Sequence, residues 1–210
     1  MKKTTSKNKG RKSVEKRLID STEELVASIS PNQLTIRDIA DHAGVNHGQI
    51  HHYFGNKEGL FKATYRQMAF EHGEQLDRRD ISANNLPDMA LSDITNDYFS
   101  AIIRAVLDNK MDVVVQENDN LHVSRKMVNE ITALKGLKKP SPEIKAAIAL
   151  TMCIEFGLTA MKPYIEKVLD LNDVEMEKFI QTIVDVRTTE FKKLFCLLYT
   201  SPSPRDYPGS

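Results

Sequence analysis

The chain has 210 residues, of which 40% are hydrophobic and 28% charged, a composition that excludes wholesale disorder and suits a folded protein of one large or two smaller domains. The formal net charge is zero, but residues 1 to 17 carry eight basic side chains and one acidic one, which gives +7 there and leaves −7 for the rest. A basic end on an acidic body is typical of a protein that presents one end to a polyanion, with a solubilising tail as the alternative.

Three further features of the sequence concern the cellular compartment of the protein and its need for cofactors. Cys153 and Cys196 lie 43 residues apart without a C-x-x-C pattern, so neither a zinc site nor a disulfide framework is predicted. No apolar stretch follows the basic N-terminus, which argues against a secretory signal. The nearly uncharged run at residues 146 to 161 is 16 residues long and contains Glu155, whereas a bilayer span needs roughly 20 apolar residues. We therefore expect a buried core helix, a cytoplasmic protein, and no cofactor, metal or membrane partner.

Helical spacing dominates from the first element onward, and the predicted fold class is all-α. A basic disordered arm is expected at residues 1 to 12. It is followed by a first helix with Val14, Leu18, Leu25, Val26 and Ile29 on one side, which Pro31 and Asn32 terminate. A second helix begins at Thr35, because Thr35 and Asp38 have the spacing of a capping box, and it ends at Gly44.

Asn46 is a suitable cap for a short third helix, in which Ile50 and Phe54 are spaced to point inward. Gly48 and His52 then point outward, with His47, Gln49 and His51 beside them, so the outward face is polar or bare. Two helices joined by a tight Gly-Val turn, the second with such a face, predict a helix-turn-helix whose second helix enters the DNA major groove.

The remaining chain predicts six more helices. Asn56 caps a fourth helix to about residue 79, with Leu60, Phe61, Met68 and Leu76 inward. A fifth covers residues 89 to 107, a short one lies within 108 to 121, and another runs to about residue 134. Ser141 as cap, Pro142 and Glu143 mark the start of a helix at 141 to 169, and a last helix covers 173 to 195.

The C-terminal residues 196 to 210 are expected to form a disordered tail. The stretch from Leu197 to Asp206 resembles a translated sequencing adaptor, in which case residues from about Cys196 onward carry no evolved sequence. A natural Pro/Ser-rich terminus is the alternative.

The strings LTIRDIA at residues 34 to 40, AGV at 43 to 45 and YFGNKEGLF at 53 to 61 closely resemble the N-terminal domain of the TetR family of bacterial transcriptional regulators. The resemblance covers roughly residues 13 to 62. It implies a three-helix helix-turn-helix DNA-binding domain at 13 to 62 and a larger helical ligand-binding and dimerisation domain at 63 to 195. It also implies a homodimer that binds a double-stranded DNA operator and responds to an unknown small-molecule effector.

Carried over by position from the family's domain, Thr35 and Lys57 are expected to bind phosphate beside helix N-termini, and Arg37 and Gln49 to read bases. Gly48 would allow close backbone approach, and further contacts would come from His47, His51, His52 and Tyr53. The family usually has Tyr where this chain has His51, which leaves that contact in doubt. A metal site at His47 and His51 lacks a third ligand, and a solvent-exposed charge is the alternative for Arg37.

Candidate residues for the effector pocket come from the fifth to eighth predicted helices. Glu155, alone in an apolar run, could pair with a cationic ligand, although a buried ion pair or an interface hydrogen bond is the more common arrangement. Plain core packing is the alternative for most of the candidates. The candidate pocket residues are Tyr98, Phe99, Ile102, Gln116, His122, Met127, Met152, Glu155 and Phe156.

The predicted function is a ligand-responsive repressor, with a ligand-independent architectural DNA-binding protein as the alternative. The chain has no Gly-rich phosphate loop, no H-E-x-x-H and no G-x-S-x-G, so an enzyme is not expected. A site-specific recombinase would need a catalytic domain, and only an arm and a helix precede the motif.

Overall fold

A computed structural model of the chain describes residues 4–77, 97–115 and 122–199, with side-chain surroundings given for 13–75, 97–115 and 122–189. Within these ranges every regular element is an α-helix, which agrees with the all-α prediction. The described helices are α1 Thr4–Ser28, α2 Ile36–His42, α3 Gly48–Phe54, α4 Lys57–Asp77, α5 Asp97–Leu107, α6 Met111–Val114, α7 Val123–Leu134, α8 Pro142–Val168 and α9 Asp173–Tyr199.

The first helix is longer than the sequence predicted. It begins at Thr4, so residues 4 to 12 are helical and do not form the disordered arm that was expected. Lysine and arginine are good helix formers, and this segment has no proline to interrupt a helix that the buried Leu18 and Val26 anchor further along.

Contacts divide the chain into two compact units, which are described separately. The first consists of Met1–Gln75 and Thr95–Val123. Its core holds the predicted inward residues Leu18, Ile39, Ile50 and Leu60, each fully buried. Phe54 was also predicted to point inward, but it is only half-buried.

The first unit extends well past residue 62, where the sequence placed the end of the DNA-binding domain. α5 packs against α1. The Tyr65 hydroxyl donates a 3.1 Å hydrogen bond to the carbonyl of Ala101, and Arg104 Nε donates one of 3.1 Å to the carbonyl of Ala27. These long-range bonds tie α5 to α4 and α1, the helices that flank the helix-turn-helix in the chain, a relation that local sequence patterns do not report.

The second unit consists of Leu76–Ile94 and Ser124–Ser210, and its described helices are α7, α8 and α9. α8 starts as predicted: the Ser141 hydroxyl accepts a 3.4 Å hydrogen bond from the amide of Ile144, and Pro142 occupies the first turn. α9 continues to Tyr199, four residues beyond the predicted end at 195.

α8 is not fully covered within this chain, contrary to the expected buried core helix. It buries Ile144, Ile148 and Leu158, but only 28% of its most apolar 18-residue window is buried, and several large apolar side chains are exposed. By length and composition α8 could cross a membrane, a test that the core helices of soluble proteins also pass. Its exposed large side chains are Leu150, Met161, Tyr164 and Val168.

Candidate nucleic-acid interface

The capping box at the start of α2 forms as the sequence predicted. The Thr35 hydroxyl accepts a 3.1 Å hydrogen bond from the Asp38 amide, and the Thr35 amide donates one of 2.8 Å to Asp38 Oδ2. These hydrogen bonds to Asp38 hold the pKa of its carboxyl below the usual range. The Thr35 hydroxyl also donates to Asp38 Oδ2 at 2.7 Å, so its own proton is committed inside the box. Thr35 therefore fixes the helix start, and a phosphate contact through its hydroxyl would require this bond to break.

The turn between α2 and α3 is built on Gly44, which has φ +62°, the left-handed conformation predicted for the helix end. The amide of Val45 donates to the carbonyl of Ala40 at 2.9 Å, which closes the end of α2. Arg17 on α1 donates a 3.3 Å hydrogen bond to the carbonyl of Gly44. The first helix thus holds the turn that sets the angle between the two helices of the motif.

α3 begins beside Asn46, whose side-chain Oδ1 accepts a 2.8 Å hydrogen bond from the amide of Gly48. The helix buries Ile50 completely against the core. Burial of this one position orients the whole helix, because successive residues are separated by about 100° around the axis. The polar residues on the other side therefore face outward.

The predicted DNA-contacting residues lie in or beside α2, α3 and the start of α4, and they differ in exposure. Arg37, His47, Gly48, His51 and His52 are exposed, whereas Gln49, Tyr53 and Lys57 are half-buried. The side chains of Arg37, His47 and Gln49 have no hydrogen bond or ion pair within the part of the chain that the structure describes. They are free to pair with an external group.

His51 occupies a position where the family usually has Tyr, and its ring contacts the C-terminal end of α3. Its Nδ1 lies 3.0 Å from the carbonyl oxygen of Gly55, and a carbonyl can only accept, so Nδ1 carries the proton. In the neutral ring Nε2 is then an acceptor, so it cannot donate to a phosphate oxygen. A tyrosine hydroxyl would donate at any neutral pH.

The junction between α3 and α4 depends on Gly55, Asn56 and Gly59. Gly55 has φ +79°, and Asn56 Oδ1 accepts a 2.8 Å hydrogen bond from the amide of Gly59, as expected for the predicted cap. A Cβ atom added to Gly59 would lie 2.1 Å from the carbonyl oxygen of Phe54. Glycine at position 59 therefore allows the end of α3 to contact the start of α4. No role was predicted for Gly59 from the sequence. A glycine in the first turn of a long helix is nevertheless a signal that could have indicated its importance.

Lys57 lies at the start of α4, with its ammonium group 5.2 Å from the centre of the Phe61 ring. Partial burial lowers the pKa of Lys57, and the nearby positive charge of Lys110 lowers it further, while Asp108 and Asp38 act in the opposite direction. An ammonium group in this setting gains from a bound anion, which fits the predicted phosphate contact.

The predicted pocket residues do not form one group within either compact unit. Tyr98, Phe99, Ile102 and His122 belong to the first unit, where the His72 ring stacks on Tyr98 with centroids 4.9 Å apart and packs edge-on against Phe99. Gln116 lies outside the described residues. The four that belong to the second unit are Met127, Met152, Glu155 and Phe156.

Glu155 forms a buried ion pair, the more common of the arrangements considered from sequence. Its Oε1 lies 3.5 Å from Nη1 of Arg187 on α9, and both side chains are at least nine-tenths buried. Burial raises the pKa of Glu155 to about 7, and the guanidinium only partly offsets this. Because Arg187 already supplies a cation, a cationic ligand at this position is no longer required.

An open cavity of about 320 Å³ lies between α7 and α8 in the second unit. Met152 is the predicted pocket residue that lines it, together with Val128 and Ile148, and Arg125 and Lys145 add positive charge. The described residues contain no group of three or more His, Cys, Asp or Glu side chains that could hold a metal ion.

Residues 18–64 match the family model for bacterial regulatory proteins of the tetR family. The matched segment contains the helix-turn-helix, Lys57 and Gly59. The resemblance found from the sequence strings is therefore confirmed for this part of the chain.

Curated relatives are similar over the same region. The chain is 32% identical over 97 residues to the HTH-type transcriptional regulator BetI 1 of Chromohalobacter salexigens, which covers 46% of this chain and 42% of that protein. It is 45% identical over 51 residues to BetI 2 of the same organism, which covers 24% of this chain and 25% of that protein. The chain thus matches less than half the length of these relatives.

A solved structure, the TetR family repressor AlkX from Dietzia sp., overlaps 86% of this chain and 96% of its own at 16% identity, with a TM-score of 0.41. This overlap is too weak to extend the comparison to the second unit. The established relationship is that of the N-terminal domain.

Proposed function

We propose that this chain, whose residues 18–64 are a TetR-family DNA-binding domain, is a ligand-responsive transcriptional repressor that binds a palindromic operator as a cytoplasmic homodimer. One observation carries the proposal. The surface of the helix-turn-helix presents Arg37 on α2, His47 just before α3 and Gln49 on α3, with no partner among the described residues, and the buried Ile50 fixes the orientation of α3. Their guanidinium, imidazole and carboxamide groups are therefore open to hydrogen bonds with base edges and phosphates.

The residue chemistry assigns different roles on this face. The guanidinium of Arg37 suits the O6 and N7 acceptors of guanine, and the carboxamide of Gln49 suits adenine N6 and N7. Lys57, with a partly buried charge, suits a phosphate, which it would hold in any sequence. His47, His52 and Tyr53 would add further contacts to bases or phosphates. Gly48 has no side chain and would allow the backbone to approach the DNA closely.

Exposed apolar stripes on the last two helices support a homodimer. On α9, Phe179 and Ile183 are half-buried and Val186 is 58% exposed, and their spacing of four and three residues places them on one face. On α8, Met161, Tyr164 and Val168 repeat the same spacing and are also exposed. A second copy of this chain would remove both stripes from water, and a two-fold dimer would present its two copies of α3, the recognition helix, to half-sites that lie about 34 Å apart on DNA.

The cavity between α7 and α8 supports a small-molecule effector, because its volume falls at the lower end of the range of ligand sites. We propose that the effector releases DNA by tilting α4, which begins at the phosphate-binding Lys57. A ligand that prefers the wider separation of recognition helices needs a coupling of roughly 1 to 3 kcal/mol to weaken DNA binding 5- to 150-fold.

The test begins with selection of a binding site from a random duplex library, followed by affinity measurements on the selected and a scrambled duplex. Gln49→Ala should reduce the preference for the selected site, because a bidentate base contact is worth roughly 1–3 kcal/mol of discrimination. Lys57→Ala should weaken both duplexes alike. Gln67→Ala is the matched control, since that carboxamide is bonded to Glu71 on α4 and should leave both affinities unchanged.

Equal losses for Gln49→Ala and Lys57→Ala on both duplexes would contradict the roles assigned here. Failure of the whole protein to bind any duplex would contradict the function itself. By linkage, operator DNA must weaken effector binding by the same factor as the effector weakens DNA binding. Selective DNA binding that no small molecule changes would favour an architectural DNA-binding protein instead.

A further inference from the structure

The end of α5 is joined by hydrogen bonds to the turn between α1 and α2. Asp108 directly follows α5, and its Oδ2 accepts a 2.7 Å hydrogen bond from the amide of Asn32 and a second one from the Ser30 hydroxyl. The Asn32 side chain donates in return to the carbonyl of Asp108 at 3.3 Å. One carboxylate oxygen thus binds two donors of a turn that lies more than 70 residues earlier in the chain.

A second side chain of α5 contacts the end of α1. The Asp108 amide donates to the carbonyl of Arg104, so the two residues are one helical turn apart and lie on the same side of α5. Arg104 Nε donates a 3.1 Å hydrogen bond to the carbonyl of Ala27, in the last turn of α1, where carbonyls have no partner within the helix. Arg104 and Asp108 together therefore hold the end of α1 and the turn that follows it.

This turn leads directly into α2, which begins the helix-turn-helix. Thr35, the cap of α2, lies three residues after the amide that Asp108 binds, and the proposed base reader Arg37 lies five residues after it. The burial of Pro31 and Leu34 holds the apolar side of the turn. Asp108 holds its polar side, so a change at this carboxylate would alter the position of α2 and of the guanidinium that α2 carries.

We propose that Asp108 is a positioning residue for DNA binding, which holds the α1–α2 turn so that α2 presents Arg37 to the bases. The inference rests on the proposed function, and it adds to the DNA-binding surface a residue outside the matched segment 18–64. Asp108 acts through the turn and contacts no DNA itself. Its negative charge repels phosphates, so positioning and electrostatics predict opposite effects when the carboxylate is removed.

Asp108→Ala in the full-length protein tests the inference, through affinities for the selected and the scrambled duplex. Loss of the charged acceptor should weaken binding to the selected duplex by roughly 10-fold, the order of one hydrogen bond to a charged group. Binding to the scrambled duplex should fall by less, because Arg37 makes its base contacts only on the selected one. Lower stability alone would reduce the fraction of active protein and weaken both duplexes alike.

Asp108→Asn tests rescue by a conservative change. Both donors of the turn end on one oxygen, and a carboxamide also offers one carbonyl oxygen with two lone pairs. This variant should therefore keep most of the preference for the selected duplex although the charge is lost.

Asp112→Ala is the matched control for the loss of a negative charge. Asp112 on α6 is exposed, and its side chain makes no hydrogen bond or ion pair with the residues that the structure describes. Removal of this carboxylate should not weaken binding to the selected duplex.

A second measurement needs no DNA. In NMR spectra of the free protein, Asp108→Ala should shift the amide signals of Thr35 and Arg37 as well as that of Asn32, whereas Asp112→Ala should leave all three in place. A shift confined to Asn32 would show that the turn does not transmit the change to α2, and it would overturn the inference.

Two results of the binding experiment would overturn the role of Asp108 and leave the proposed function standing. One is an Asp108→Ala protein that binds the selected duplex as tightly as the unmodified protein, or more tightly. The other is an equal loss on both duplexes. An unmodified protein that binds no duplex would overturn the proposed function and this inference together.

Discussion

Gly59→Ala provides a sharp test of how α3 is joined to α4. In an ordinary helix this substitution stabilises the protein, because alanine has a higher helix propensity than glycine by about 1 kcal/mol. At position 59 the new Cβ atom would lie 2.1 Å from the Phe54 carbonyl oxygen and 3.2 Å from its carbon. Both atoms belong to the backbone, so no side-chain rotation can relieve the clash.

The clash must be relieved by moving the end of the recognition helix away from α4. Overpacking of this kind costs typically 1–3 kcal/mol, which exceeds the gain in propensity, and we expect a net loss of stability of roughly 1–2 kcal/mol. For a protein of this size each kcal/mol corresponds to about 2–4 °C in Tm. DNA affinity should fall as well, since Gln49 and Arg37 would no longer keep their relative positions.

Thermal unfolding followed by circular dichroism and binding to the selected duplex are the two measurements. Gly157→Ala on α8 is the matched control: nothing lies within 4 Å of its added Cβ atom, so this variant should be more stable by roughly 0.5–1 kcal/mol and bind DNA unchanged. A Gly59→Ala protein as stable as Gly157→Ala would refute the role assigned to Gly59.

Three other outcomes are expected. Because burial raises the pKa of Glu155 from 4.5 to about 7, its contribution to stability is fully present below pH 4.5 and is lost as pH rises through about 7. Between pH 5 and 8 the free energy of unfolding should therefore fall by up to roughly 3 kcal/mol more than in Glu155→Gln, and parallel curves in urea titrations would contradict this. Val186→Asp should give monomers by analytical ultracentrifugation, whereas Val174→Asp, at a 76% exposed position off the α9 stripe, should not; a monomeric unmodified protein would remove the basis of this prediction. Deleting residues 2 to 12 should reduce the salt dependence of DNA binding, because their cations release phosphate counterions, and an unchanged slope would mean that they do not contact DNA.

The sequence by itself determined the elements that depend on near neighbours. The Thr35–Asp38 capping box, the left-handed Gly44 and the Ser141 cap each join residues no more than four positions apart, so the local pattern contains all the atoms involved. The burial of Ile50 followed from helical periodicity, and with it the outward polar face of α3. The family strings extended this local pattern into a prediction of DNA binding, which the match at residues 18–64 supports.

Only the tertiary structure decided which distant groups meet. Glu155 and Arg187 are 32 residues apart, and Asp108 and Asn32 are 76 apart, so neither pair leaves a periodic signal. Because α8 is apolar around most of its circumference, its sequence could not show which of its faces packs against the rest of the chain. Periodicity indicates how polar a face is, but not which element lies against it. Gly59 depends on the Phe54 carbonyl, whose position is set by how two helices join. Local patterns fix the conformation of a segment, whereas packing between segments fixes which surfaces are left free to bind.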